Sequence, residues 1–403
     1  MIHSKYWDYV IIGSGIVGLS VARELCARKK ESSILIIEKE NAIGLHASGR
    51  NSGVLHSGIY YPEDSLKAKI CASGSILMSN YCKEKGLPIN RIGKIILPIN
   101  KNDDRQLELL YKRATTNNAS VEFIDSKHLK IIEPEVKSIT GNALFSPNTS
   151  VVDPKSIMLQ LQKDLEKKDI CFMFNAALKD IDIQNSTINI NNNHYQYGML
   201  INTAGQYSDK IAHMCDVGTQ YALIPFRGEY YKLKKDSKIH LNHLVYPVPD
   251  LNIPFLGVHS VTTIQGETYF GPSAVPALGR EHYSGFKGIN FRDASSTLTH
   301  ISSMYLLNKQ GLRRYTHEEI GRFLKFNFVK AARKLVPNLK MNSLQSCDKV
   351  GIRAQLYDTN EKKLVTDFLI EKKYNTVHVL NAVSPAFTSA FSMAKKIVNK
   401  VIL

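Results

Sequence analysis

The chain of 403 residues has no run of about 18 apolar residues, the length a membrane-crossing helix requires. The first strand pattern opens at Tyr9, which leaves no room for a signal or transit segment. Six cysteines (Cys26, Cys71, Cys82, Cys171, Cys215 and Cys347) form no C-x-x-C pair and no metal-type cluster. That pattern excludes a disulfide framework, offers no metal site and predicts free thiols in a reducing compartment. Internal repeats and low-complexity linkers are absent. Lys plus Arg number 52 against 36 Asp plus Glu, a net +16, yet the lysines are scattered and never form a block. With no aromatic–basic stacking motif this argues against a nucleic-acid partner. It leaves a solvated Lys-rich surface, an anionic membrane surface or an anionic substrate. The expectation is a cytoplasmic protein, soluble or held peripherally on the inner face of the cytoplasmic membrane.

What is present begins with length: 403 residues at 43% hydrophobic content imply two globular domains, or two interleaved ones. Residues 8–38 read "DYVIIGSGIVGLSVARELCARKKESSILIIE". An apolar strand runs into Gly13-Ser14-Gly15-Ile16-Val17-Gly18, a helical pattern follows with Val17, Val21 and Leu25 on one face, and a second strand ends at Glu38 and Lys39. Gly13 permits a tight turn, Gly15 lets backbone approach a pyrophosphate, and Gly18 lets helix and strand pack closely. The helix start offers N–H donors and a positive dipole end to phosphates. Glu38 is placed to accept from both ribose hydroxyls and would repel a 2′-phosphate, which disfavours NADP. No second such loop follows a strand. FAD is favoured over NAD by the amino-terminal position of the unit and by "GLHASGRNSG" just after Glu38. The distant "GMLINTAGQYSDKIA" also favours it: its strand breaks at Ala204-Gly205, where it would lie against the same nucleotide.

The segment "RNSGVLHSGIYYPEDSLKAKIC" (Arg50 to Cys71) is either a solvent loop or a place where Gly53 and Gly58 clear room for a flat ligand beside His56. With "PFRGEYYKL", "NHLVYPVPDLNIPFLGVH", "GPSAVPALGREHY", "GIRAQ" and "HVLNAVSPAFTSA", in that order, the whole chain resembles the D-amino-acid-oxidase-like flavoproteins. Within them it resembles the L-2-hydroxyglutarate oxidase/dehydrogenase family. It departs from the family pattern at Val383, Phe387, Ser273 and Arg50, and Phe387 adds bulk near the expected flavin.

The resemblance implies an α/β chain: a Rossmann-type FAD-binding domain interleaved with an α+β substrate domain carrying a mixed, largely antiparallel sheet. Residues 1–88, 145–213 and 341–403 are expected in the first, residues 89–144 and 214–340 in the second, with the active site between them. Ser48, Arg50, Asn51, Ser52 and Gly53 are expected along the cofactor. The corner Ser384-Pro385-Ala386 is expected to bring N–H groups to the flavin's pyrimidine edge.

The implied reaction is FAD-dependent oxidation of L-2-hydroxyglutarate to 2-oxoglutarate. A hydride leaves the α-carbon for flavin N5, a base takes the hydroxyl proton, and cations fix the carboxylates. His56 and His259 are the candidate bases, while His46 and His378 read as structural. Arg353 and Arg227 are the candidate carboxylate anchors, since guanidinium gives a planar two-point contact. Tyr60, Tyr61 and Tyr246 are candidate pocket walls. The partner is a 2-hydroxy dicarboxylate, with quinone or oxygen taking the electrons. The rivals are an amine or amino-acid oxidase of the same fold and a polyanion-binding flavoprotein. A helix from a capping box at Thr316-x-x-Glu319 to just before Pro337 alternates Phe323, Phe326, Val329 and Leu335 with basic residues. Such a helix either lies on an anionic bilayer or packs its aromatic face on the substrate domain.

Overall fold

A computed structural model describes residues 5–322 and 324–402; Phe323, one apolar position of the expected basic helix, lies outside them. β1 (Tyr6–Ile12), α1 (Ile16–Arg28) and β2 (Ile34–Ile37) form a βαβ unit with the two strands parallel. β2 reads Ile-Leu-Ile-Ile and is buried throughout, as a strand covered on both faces must be. Glycine is required at the turn. A Cβ on Gly18 would lie 2.1 Å from the Gly13 carbonyl oxygen, so α1 could not pack down onto the strand end.

β1 pairs in parallel with the strand Asn193–Asn202, which in turn pairs in parallel with Thr376–Val379. On the other side β2 pairs in parallel with Cys171–Met173. α1 and the helices Leu66–Glu84, Pro154–Glu166 and Ala386–Ile402 bury one face of this sheet. The helix Pro154–Glu166 starts as its sequence suggests, with the Asp153 carboxylate accepting the Lys155 N–H and proline in the first turn.

A second sheet has ten strands among the described residues. Its backbone is a long antiparallel ladder between Tyr221–Leu233 and Leu344–Asp358. This corrects the expected boundary at residue 341. The 15-residue strand Leu344–Asp358 finds its hydrogen-bond partner in the second sheet, not the nucleotide sheet. The sheet is mixed: Leu244–Pro247 runs parallel to Lys94–Leu97 and antiparallel to His259–Thr262.

The expected basic helix is also corrected. Two helices, Leu312–Arg322 and Lys325–Arg333, replace one, and Thr316 lies inside the first. Glu319 does not close a capping box. Its buried carboxylate accepts the Ala274 N–H at 2.9 Å and pairs with Arg322, so a tertiary contact has taken the group a cap would use. Phe328 and Val329 are buried in the core of the second sheet, with Phe328 4.7 Å from the Tyr231 ring, whereas Phe326 is 63% exposed. Phe328→Ala should therefore destabilise the protein by about 3–5 kcal/mol, and Phe326→Ala by no more than about 0.5 kcal/mol. Denaturant midpoints of the two variants test this, and equal losses would contradict the burial pattern. No helix among the described residues is long and apolar enough to cross a membrane.

Candidate active site

A cavity of about 660 Å³ runs between the two sheets, within the roughly 300–1,000 Å³ usual for ligand and cofactor sites. One end is built by the glycine loop and the end of β2, the other by Tyr230, Tyr246, Phe255, His56, His259 and Arg353.

At the nucleotide end Gly13, Gly15, Ile16, Val17, Glu38, Lys39, Ser48, Arg50, Asn51, Ser52, Ala204 and Gly205 all line the cavity. Ser14, Gly18 and Gly53 do not, and support it from behind. The N-cap of α1 is Gly15, which has no side chain to cap it and so leaves the first turn to an anionic ligand, except that the Ile16 N–H goes to Ser48 Oγ at 3.0 Å. The Glu38 carboxylate accepts from Ser14 N–H (2.9 Å), Ser14 Oγ–H (2.8 Å) and Glu40 N–H (3.0 Å). A carboxylate has roughly four lone-pair sites. About one thus remains for a ribose hydroxyl, fewer than the two expected.

Other side chains at this end are committed to protein. The Asn51 amide donates to Ala47 and Ser48 carbonyls and accepts the Gly53 N–H. Arg50 donates to the Leu45 carbonyl and stacks 4.3 Å from the Tyr283 ring. Lys39 pairs with Glu40 and Glu281. His46 joins them through Glu40 (2.9 Å) and Tyr283 (2.8 Å), and it also lines the cavity. Glu40, His46 and Glu281 bring three metal-type ligand atoms within 4.8 Å, but the Lys39 ammonium already supplies the positive charge there. His378 is buried on Asn202 and Thr376. The motif "GREHY" clamps the lobes: Arg280 grips Asp209 through two bonds of 2.5 and 2.8 Å.

The glycines around His56 have a different purpose from the one expected. Neither Gly53 nor Gly58 lines the cavity. Gly53 has φ +73°, and a Cβ there would meet the Val152 carbonyl oxygen at 2.4 Å, so it is needed for strand packing. The segment is no solvent loop either: Val54–Leu55 pairs with Ser150–Val152, and the His56 N–H donates to Thr388 Oγ at 3.1 Å.

At the other end His56, His259 and Arg353 converge from three chain segments. His259 Nδ1 lies 2.8 Å from the Gly257 carbonyl oxygen. A carbonyl only accepts, so Nδ1 carries the proton and Nε2 the lone pair in the neutral ring. The ring stacks on Tyr246 at 4.0 Å. His56 Nδ1 is buried with no hydrogen-bond partner among the described residues. Burial first, then the charges of Lys94, His259 and Arg353, pulls the His56 imidazole down to about 3. Burial also lowers His259, to about 4, against the Gly257 carbonyl, which favours its proton, and with a further push from Lys94. Both rings are therefore neutral at physiological pH.

Arg353 is half-buried and lines the cavity. Among the described residues its guanidinium donates to the Pro254 carbonyl alone, and it lies 5.6 Å from the Phe255 ring. Arg227 does not reach the cavity, which corrects its expected role. The ladder sets Phe226 opposite Arg353, so Arg227 points from the other face, where it pairs with Glu229 at 2.9 Å and contacts His282. Tyr246 lines the cavity as expected, whereas Tyr60 and Tyr61 lie behind the wall. At the carboxy-terminal corner Ser384, Pro385 and Ala386 line the cavity, but the Ala386 N–H is given to the Val383 carbonyl at 2.9 Å.

Sequence reasoning missed Lys94, Tyr230 and Phe255. Lys94 was hidden by its residue type, since a lone lysine reads as surface. Tyr230 was signalled by alternation with Phe226 and Gly228 along "PFRGEYY".

The model of the family described as FAD dependent oxidoreductase, DAO, matches residues 8–400. A mitochondrial L-2-hydroxyglutarate dehydrogenase of Caenorhabditis briggsae is 34% identical, covering 98% of this chain and 93% of that protein. The L-2-hydroxyglutarate dehydrogenase of Indibacter alkaliphilus is 36% identical over 96% of each chain. Among solved structures, L-alpha-glycerophosphate oxidase from Mycoplasma pneumoniae with FAD bound superposes with a TM-score of 0.77 at 22% identity, covering 99% of this chain and 95% of that one. That likeness establishes the fold. The open helix start, the glycine cradle and the remaining Glu38 acceptor fit FAD. With the family match across nearly the whole chain, this protein belongs to the FAD dependent oxidoreductases of the DAO family and groups with their L-2-hydroxyglutarate dehydrogenases.

Proposed function

We propose that the chain oxidises L-2-hydroxyglutarate to 2-oxoglutarate. The observation that carries this is the meeting of Arg353 with two neutral imidazoles at one end of a cavity whose other end is a nucleotide site, in a chain whose relatives bear that enzyme's name. Arg353 holds the 1-carboxylate in a two-point contact and so sets the face of the α-carbon. His259 takes the hydroxyl proton at Nε2, the ring's lone-pair nitrogen. His56, with an unpartnered Nδ1, offers a further hydrogen bond to the substrate. Bound FAD supplies the acceptor for the hydride leaving the α-carbon. Tyr230, Tyr246 and Phe255 keep bulk water from the reacting atoms. Lining residues from both sheets support reading the cavity as the junction of a nucleotide lobe and a substrate lobe.

Purified protein is expected to be yellow and to bleach with anaerobic L-2-hydroxyglutarate. Bleaching by an amino acid and not by the hydroxy acid would overturn the reading. Quinone or oxygen is proposed as electron acceptor, and titrating the reduced enzyme with each separates them. A peripheral position on an anionic membrane is supported by Phe286 and Phe291, 92% and 89% exposed, beside exposed Lys287 and Arg292. Co-sedimentation with anionic vesicles tests it, and an unbound protein at low salt would exclude it.

A further inference from the structure

The loop from Leu278 to Asn290 springs from the second sheet, yet Arg280, Glu281 and Tyr283 all bond to segments that build the nucleotide end of the cavity. It follows the short strand Val275–Pro276, which pairs with Phe226 and Arg227 of the long ladder. Its two legs touch at the root. The Asn290 N–H donates to the Leu278 carbonyl at 2.9 Å, and a Cβ on Gly279 would lie 2.1 Å from the Gly288 carbonyl oxygen. His282 braces the inside, accepting the Leu278 N–H at Nδ1 (3.2 Å) and donating from Nε2 to the Gly285 carbonyl (2.7 Å). A compact loop with joined ends of this kind holds its own shape.

The contacts it makes lie across the nucleotide end from one side to the other. Lys39 and His46, which follow β2, line one side; Gln206 and Tyr207, which follow the strand Asn193–Asn202, line the other. Glu281 joins the two sides at a single atom. Its Oε1 accepts from the Lys39 ammonium at 2.5 Å and from the Tyr207 hydroxyl at 2.6 Å. Tyr283 makes a second tie, its hydroxyl 2.8 Å from His46 Nδ1. The other nitrogen of that ring faces the Glu40 carboxylate at 2.9 Å and so carries the proton, which leaves Nδ1 to accept from Tyr283. The Gln206 amide, from the opposite side, lies 3.2 Å from the same Nδ1. Arg280, Glu281 and Tyr283 do not themselves line the cavity, so they act on its walls from outside.

We propose that this loop is a strap that retains FAD: the cofactor enters and leaves the nucleotide end when Glu281 and Tyr283 let go of the walls, and stays while they hold. The inference rests on FAD occupying that end and is independent of which substrate is oxidised. The strap has a firm root and a loose hold. Arg280 is 7% exposed and fixed to Asp209 and the Gln206 carbonyl, so it stays in place. The side chains of Glu281 and Lys39 are 33% and 30% exposed. Water reaches both, so separating this pair costs far less than breaking a fully buried one. Opening therefore begins at Glu281 and Tyr283 and pivots about Arg280.

A strap governs passage in both directions, and that sets it apart from an ordinary contact with the cofactor. Release is read from the rise of flavin fluorescence when loaded protein meets a trap for free FAD, and uptake from its fall when stripped protein meets FAD. Glu281→Gln keeps the length of the side chain and removes its charge. Both rates should rise by about 10-fold or more, the scale of one lost charge-assisted bond, while the dissociation constant for FAD changes much less. Tyr283→Phe keeps the ring against Arg50 and loses only the tie to His46, so both rates should rise by a smaller factor. Wild-type release rates in the two variants would overturn the proposal and leave the loop as packing between the sheets. Faster release with unchanged uptake would overturn it as well, by making Glu281 a simple binding contact. A flavin that stays with the unfolded wild-type chain would be covalently held, which a strap does not explain, and would also overturn it. Should Glu281→Gln fail to fold, Tyr283→Phe decides by the same criteria. Failure of L-2-hydroxyglutarate to bleach the flavin would sink the proposed substrate and leave these rates as they are.

Discussion

Exchange of His259 for asparagine should slow anaerobic reduction of the bound flavin by L-2-hydroxyglutarate by about 10²–10⁴-fold, the contribution of a positioned general base. Asparagine is chosen because its amide can still donate to the Gly257 carbonyl, which the Nδ1–H of His259 does at 2.8 Å. The strand His259–Thr262 should therefore keep its place, and FAD content should match the wild type. What disappears is the lone pair at Nε2. The loss should fall on the reduction rate and leave substrate affinity nearly unchanged, as expected for an interaction made only in the transition state. A reduction rate equal to the wild type would remove His259 as the base and pass the role to His56.

Arg353→Lys should raise KM for L-2-hydroxyglutarate by about 10–100-fold, the equivalent of losing one charge-assisted contact of roughly 1.5–3 kcal/mol. Lysine keeps the charge but not the planar fork, so the substrate is held at one point instead of two. The same exchange at Arg227 should leave KM near its wild-type value, because that guanidinium lies on the far face of its strand and is paired with Glu229. Steady-state kinetics on the two variants side by side read the difference. Equal effects would mean that the carboxylate anchor is not where the ladder between Tyr221–Leu233 and Leu344–Asp358 puts it.

Much of this molecule is written in short-range signals. The glycine loop after an apolar strand, the helix behind it and the acid at Glu38 are consecutive in the chain, and their spacing alone specifies a nucleotide site. The capped helix Pro154–Glu166 and the strands around "PFRGEYYKL" are legible for the same reason: caps and alternation act over a few residues. His56 and Arg353 were visible as members of motifs, although nothing local states that they face one cavity.

The misreadings have a common physical origin. Thr316 and Glu319 satisfy the local rule for a helix start, yet the carboxylate bonds to Ala274, 45 residues away. Arg227 and Arg353 look equivalent in sequence, and only strand register, with Phe226 opposite Arg353, sends one inward and the other out. Lys94 reads as a surface lysine until three strands close around it. By itself the sequence determined the cofactor loop, the class of chemistry and most of the elements, because those depend on neighbours along the chain. The tertiary structure alone decided which cations meet which imidazoles, because burial and field come from residues brought together across hundreds of positions.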